Sequence, residues 1–338
     1  MSVDDEVRAA RRSAALFRHS GRGLVEVRGA DRIRFLQGQL TADIASLDAA
    51  GPRSGCYALV LTPQGRIVVD LHVLARSESI WLETAAASVA PALARLVKYV
   101  IADDVELADR SDEIARFGIE GPRASDLLAA AAGTSPELQP ESAAELRIAG
   151  VEVLAAAYGW SGERAFQLFV PRPKEAAIAM ALRDAATACG AAQAGPEALE
   201  VLRVEAGIPR AGRELGEDVL PAEARLLERA VSFSKGCYTG QEVVARMESR
   251  GRVGHLLVGL AFDGALPALG APLDAGGARV GAVTSVARSP SAGAIGLGYV
   301  RRGHDQPGTR LGVDSARARV VPLPFVPGGA ASPRGVPA

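Results

Sequence analysis

The stretch Ser234-Lys235-Gly236-Cys237-Tyr238-Thr239-Gly240-Gln241-Glu242 holds the densest chemistry in the chain. It reads as a glycine-flexed loop entering a helix. Thr239 and Glu242 have the T-x-x-E spacing of a capping box, which starts the helix at Gly240. Cys237 then lies two residues ahead of the N-cap, near the positive end of the helix dipole and close to Lys235. Both influences favour a thiolate. The plainer reading, a cap beside a small buried hydrophobe, stands next to it. A second candidate is Asp70. In Arg66-Ile67-Val68-Val69-Asp70-Leu71-His72-Val73-Leu74, alternation puts Ile67, Val69, Leu71 and Val73 on one apolar face and Asp70 with His72 on the other. A carboxylate within a β-branched strand needs a partner or a wet cleft. Either it binds a ligand amine or pterin, or the strand is an edge with a solvated face.

Two further groups carry charge in unusual settings. Tyr158-Gly159-Trp160-Ser161-Gly162-Glu163 reads as a tight turn before a strand. Glu163 at the strand start can accept two hydrogen bonds from an amidine-like ring edge, or be an exposed turn glutamate. Arg203 and Glu205 lie in the apolar helical run Leu202–Gly207, where a buried arginine requires an anionic partner. A structural ion pair is the usual case. Arg246 and Arg250, after Cys237, either bind a carboxylate or are solvated.

These residues must be positioned by alternating strands and helices. Leu24–Arg28 reads as a strand and Asp31–Leu47 as one helix. Cys56–Leu61 and Arg66–Leu74 flank the turn Thr62-Pro63-Gln64-Gly65, a hairpin signal. Val89 to Val100 follows helical spacing. Arg116–Ile119 is strand-like, and Pro122 suits the first turn of the next helix. Residues 129–141 look like a linker. Val151–Ala156 and Phe166–Val170 are strands. Pro173–Cys189 and Pro196–Ala206 are helices, the former stopped by Gly190. From His255 short strands between Gly, Pro and Asp clusters predict a small all-β module, and the Pro/Gly-rich segment after Pro322 is expected to be loose.

Composition narrows the function classes. With 38 basic against 39 acidic residues and no basic stripe, nucleic acid is not an expected partner. No run approaches the ~18 apolar residues of a membrane span. Met1–Gly21 is charged and lacks the apolar stretch of a secretory signal, so the expected setting is the cytoplasm. The three cysteines, Cys56, Cys189 and Cys237, are far apart, and only four histidines occur, so neither a disulfide framework nor a metal site is expected. P-loop, zincin and nucleophile-elbow motifs are absent.

Lys235-Gly236-Cys237-Tyr238-Thr239-Gly240-Gln241-Glu242 resembles the K-G-C-[FYW]-x-G-Q-E signature of YgfZ proteins, a branch of the glycine-cleavage T-protein superfamily. Gly29 to Gly38 is similar to the branch's G-x-D-x-x-x-F-L-Q-G stretch, Leu202 to Pro209 to the superfamily's L-R-x-E-x-G-x-P, and Tyr158 to Glu163 to its G-Y-T-G-E turn. Gly281 to Ser285 and Ala294 to Val300 look like its C-terminal barrel, so the resemblance is collinear over roughly residues 20–325. It implies an α+β fold with interwoven folate-binding subdomains around a central cavity. The expected divisions are an N-terminal extension over 1–20, the folate-binding region over 21–253 with its linker near 129–141, a barrel over 254–325 and a flexible tail over 326–338. It implies tetrahydrofolate or a one-carbon derivative as cofactor. Glu163 and Arg203 match folate-contacting positions, and Asp70 matches the aspartate that orients an aminomethyl substrate. Cys237 matches the signature cysteine, and Lys235, Tyr238 and Gln241 of the same stretch become cofactor-binding candidates. The expected role is an accessory protein for assembly or repair of iron–sulfur enzymes, with such clients as partners. The alternative is a folate-dependent aminomethyltransferase or demethylase.

Overall fold

Alternation of apolar and polar residues over 15–194 builds two sheets that share their chain. The computed structural model describes residues 1–51, 53–134, 136–250, 253–314 and 316–329, without the side chains of 48–50 and 249–250. One sheet lines up Gly55–Leu61, Ile67–Ala75, Ile80–Ala85, Arg22–Arg28 and Glu106–Asp109 in that order, all antiparallel. Val69, Leu71 and Val73 pack with Phe35, Leu36 and Leu96 from the helices on one face. Asp70 and His72 turn to the other face, as a period of two requires. Their strand is interior, paired with 55–61 on one side and 80–85 on the other, so the edge-strand reading does not hold.

The second sheet runs Ala192–Ala194, Ala15–His19, Ile114–Glu120, Ala165–Pro171, Val151–Ala156 and Ala143–Ile148. Only its first pair is parallel. Helices Ala124–Ala132 and Glu175–Ala188 cover one face, through Leu127, Leu128, Ile178 and Leu182. Across the other face Tyr158, Phe169 and Leu154 meet Leu24 and Leu74 of the first sheet. Strands 15–19 and 114–120 bracket in sequence everything that builds the first sheet, which is the physical meaning of interwoven subdomains. His255–Asp263, Gly293–Arg301, Ala278–Ser289, Pro272–Ala275, Arg310–Val313 and Ala316–Val321 close a six-stranded barrel, completing the expected α+β class.

Four local expectations change. The helix read over Asp31–Leu47 is two, Arg32–Gln39 and Ala45–Ala50, because Leu40 goes extended and bridges to Val60. Residues 1–20 are no appendage. Helix Val3–Arg12 buries Val7 and Ala10 against Val201 and Leu202, and Ala15–His19 lies inside a sheet. The segment read as a linker is helical to Ala132, and it ends in Glu141, whose carboxylate reaches the buried His72. Beyond Pro322 the chain is held as far as Gly329. Leu323 is buried, the Phe325 N–H donates to Glu205 O at 2.8 Å, and the Gly329 N–H donates to Glu163 at 2.7 Å. Residues 330–338 of the expected tail lie outside the described residues.

Candidate active site

The two sheets meet across a polar layer, and that layer opens into a cleft of about 360 Å³. Strand Ala15–His19 contributes Phe17 and His19, strand Arg22–Arg28 contributes its first residue, Arg22, and strand Ile67–Ala75 contributes Asp70. The turn at 158–163 adds Trp160. Helix Pro196–Ala206 adds Leu199, Glu200 and Arg203, and Pro209 and Arg210 follow it. Residues about 190 positions apart thus share one wall.

Asp70 receives the Tyr57 hydroxyl at 3.0 Å. Tyr57 stands two rows along the neighbouring strand, opposite His72, so this is a diagonal cross-strand contact. Burial and the Asp70 charge push the Tyr57 phenol well above its ordinary value, which keeps it a donor. Behind Asp70, Arg22 grips Glu83 through two bonds of 2.6 and 2.7 Å, and Arg116 adds a third contact at 3.1 Å. Burial raises the Glu83 carboxyl, but the two guanidinium groups overrule it and bring it to about 2. Arg116 also donates to the Tyr158 hydroxyl, and Tyr158 stacks on His72 at 3.7 Å. His72 pairs with Glu141 at 2.8 Å. Beneath the cleft lies a lattice of buried charges, of which Arg22 and Asp70 reach its lining.

The Trp160 indole stands over this lattice, 4.9 Å from the Arg22 guanidinium carbon and edge-on to His19 at 5.2 Å. Burial, with Arg116 and Arg22 nearby, pushes His19 down to about 3, so its imidazole is neutral at physiological pH. His19 Nε2 and the neighbouring Gln167 Oε1 are buried polar atoms without a hydrogen-bond partner.

The other predicted residues sit differently. Arg203 reaches the cleft wall, but its five N–H groups are engaged by Glu200, Ile208 O, Glu214 and Ser285. It fixes Glu200 and ties the helix to the barrel. Glu163 lies outside the cleft lining: one oxygen pairs with Arg11 at 2.8 Å and the other takes the Gly329 N–H. Lys235 Nζ donates to the carbonyls of Gln37, Leu40 and Ala42 at 2.6–2.8 Å. These carbonyls border the break between the two short helices, so the ammonium satisfies what the break leaves open. Burial lowers Lys235 to about 8, which leaves it an ammonium at neutral pH. Tyr238 is buried among Leu59, Leu61 and Val244. The helix starts at Gln241, after Gly240 at φ 86°, one residue later than the capping box predicts. Glu242 instead faces solvent, 89% exposed, and pairs with Arg246. A side chain at Gly240 would meet Thr62 O at 2.7 Å, so this stretch is shaped to pack on the 62–65 hairpin turn. Cys237 is exposed and Gln241 half-buried, and neither is among the described residues lining the cleft. The Arg250 side chain lies outside the described residues. No group of three His, Cys, Asp or Glu among the described residues is placed to hold a metal.

Sequence reasoning passed over Tyr57, His19, Arg22, Glu83, Glu200 and Arg210. Glu83 had a signal, being a charged residue that follows the apolar run Ile80-Trp81-Leu82, whereas Arg22 stands in a strand with two further charged residues, Glu26 and Arg28. His19 and Glu200 had none, because what places them is tertiary.

A family profile described as the GCVT N-terminal domain matches residues 1–235, and one described as the glycine cleavage T-protein C-terminal barrel domain matches residues 256–327. The chain is 35% identical over 332 residues to an aminomethyltransferase of Rubrobacter xylanophilus, covering 96% of this chain and 86% of that protein. It is 33% identical over 330 residues to an aminomethyltransferase of Saccharopolyspora erythraea, covering 95% and 89%. The crystal structure of the glycine cleavage system aminomethyltransferase T from Bartonella henselae superposes with a TM-score of 0.86 at 26% identity, over 96% of this chain and 90% of that one. These matches overturn the expected role as an accessory protein for iron–sulfur enzymes, since the relatives are aminomethyltransferases over nearly their full length. They support the superfamily and not the YgfZ branch, whose signature here packs on the 62–65 hairpin turn. With both profiles matched in order and the barrel closed on the helix that carries Glu200 and Arg203, the chain belongs to the glycine cleavage T-protein family.

Proposed function

We propose that this protein is a folate-dependent aminomethyltransferase whose reaction takes place in the cleft between the two sheets. The observation that carries the reading is Asp70: an acidic side chain on an interior strand, turned into a cleft that also presents an indole, an imidazole and an arginine at its rim. The residues present fit a reduced folate. Trp160 offers a face for a flat bicyclic ring, His19 lines the cleft beside it, and Arg210, 45% exposed, can meet a tail carboxylate. When bound, tetrahydrofolate supplies the two amine nitrogens that take over the methylene carbon, while a thiol and ammonia leave with the amine protons. Asp70, held by the Tyr57 hydroxyl, orients the aminomethyl nitrogen and balances its charge. The Glu83–Arg22–Arg116 lattice keeps Asp70 from shifting toward the sheet interior. Arg203 acts through Glu200 rather than on the ligand.

The K-G-C-Y-T-G-Q-E stretch that resembles YgfZ proteins has a supporting part in this reading, as the clasp of the hairpin that carries Tyr57 and Asp70. The three free cysteines suit a reducing, cytoplasmic setting. Calorimetric titration with tetrahydrofolate tests the binding half of the proposal. Saturable binding that weakens in Trp160→Ala supports it, and no binding at millimolar ligand removes it.

A further inference from the structure

Glu120 ends the central strand Ile114–Glu120 and is fully buried, opposite Ala15 on one side and Ala165 on the other. It has no ion-pair partner among the described residues. Its Oε2 accepts the backbone N–H of Ser161 at 2.7 Å and of Trp160 at 3.0 Å, and Gln167 Nε2 lies 3.5 Å from Oε1. A buried carboxylate without a cation is costly unless several donors converge on it. Here the donors belong to the turn that carries Trp160. Gly159 lets the turn close: a Cβ there would lie 2.9 Å from the Glu120 carboxyl carbon and 2.4 Å from Ala165 Cβ. From the other side Arg11 donates to Ser161 O at 2.9 Å. Burial raises the Glu120 carboxyl against the pull of Ser161 and Trp160.

We infer that Glu120 is a positioning residue of the cleft: its carboxylate holds the 158–163 turn so that the Trp160 indole forms the wall against which the ligand's flat heterocycle packs. The inference rests on reading the cleft as the folate site. Glutamine at 120 keeps the volume but turns one acceptor into a donor facing two N–H groups. The turn then relaxes, and the indole loses its fixed angle to Arg22 and His19.

The test uses the full chain with Trp81→Phe, which leaves Trp160 as its one indole. Glu120→Gln in this background is expected to increase acrylamide quenching of Trp160 without ligand. It should also raise the dissociation constant for tetrahydrofolate about tenfold, or ~1.4 kcal/mol, with kcat nearly unchanged at saturation. Unchanged quenching overturns the positioning role, whatever happens to affinity. If the parent protein binds no tetrahydrofolate, the folate reading falls while the quenching comparison still decides the role of Glu120. Should Glu120→Gln not fold, amide exchange in the unsubstituted protein decides. Strong protection of the Trp160 and Ser161 amides upholds the clamp, and exchange at the rate of open chain removes it.

Discussion

At the scale of single residues, Asp70 was legible because a strand's period of two is strict: four apolar neighbours fixed which way it points. Replacing it by asparagine keeps the volume and removes the charge. Asp70→Asn should lower the aminomethyl-transfer rate by ~10²-fold or more, with little change in melting temperature. Tyr57→Phe, which removes one hydrogen bond to that carboxylate, should cost roughly tenfold. Equal rates in all three proteins would remove Asp70 from the reaction. Glu163 and Arg203 show the limit of such reading. Their types suggested ligand contacts, but their acceptors and donors are taken: Glu163 by Arg11, 152 positions away, and Arg203 by Glu200 one turn earlier on its own helix and by the distant Glu214 and Ser285. His19 makes a pH prediction. In the unfolded chain it takes a proton near pH ~6.5, but folded only near 3. Acid therefore favours unfolding, and stability is lost as pH falls from about 6.5 toward 3, by at most ~1.4 kcal/mol per pH unit for this one proton. Urea midpoints of His19→Gln should be flatter than those of the parent across that window. Both should still weaken below pH ~4.3, where Glu83, held at about 2 beside Arg22 and Arg116, begins to lose its advantage.

At the scale of elements, the hairpin around Thr62–Gly65, the helix Pro196–Ala206 and the barrel strands followed from turn chemistry and periodicity. The break at Leu40 did not, because it is stabilised from 195 residues away by Lys235. A helix expected to run to Leu47 stops where an ammonium can take three carbonyls and Gln37 Oε1 can accept the Ile44 and Ala45 N–H groups. Lys235→Met keeps the stem and removes those donors. It should lower unfolding free energy by ~3 kcal/mol in urea titrations, while tetrahydrofolate affinity of the folded fraction stays within about twofold, ~0.4 kcal/mol. Normal stability with lost affinity would return Lys235 to the ligand-binding role that the sequence suggested. Strand Ile80–Ala85, which brings Glu83 under the cleft, escaped sequence reading because Glu83 and Thr84 blur its alternation. Both are buried rather than exposed, Glu83 in the polar layer and Thr84 on the opposite face, where its hydroxyl donates to the Asp70 carbonyl at 2.8 Å.

At the scale of the whole molecule, the cleft depends on segments from both ends of the chain. Arg11 in the first helix joins Glu163, Glu205 and Ser161 O, while the backbone at Phe325 and Gly329 closes on the same two glutamates' segments. Arg11→Met leaves two buried carboxylates without their cation and should destabilise the protein by about 3–5 kcal/mol, read as a fall in the urea midpoint. A change below ~1 kcal/mol would mean that the terminal segments are not a structural tie. What these ties protect is the meeting of Asp70, Trp160 and Glu200, on which the central claim depends. It is tested most directly by mixing the protein with an aminomethylated lipoyl carrier and tetrahydrofolate and following ammonia and methylenetetrahydrofolate together. The two products should appear in equal amounts, only when tetrahydrofolate is present, and Asp70→Asn should nearly abolish both. Release of neither product from a folded protein at saturating tetrahydrofolate would contradict that claim.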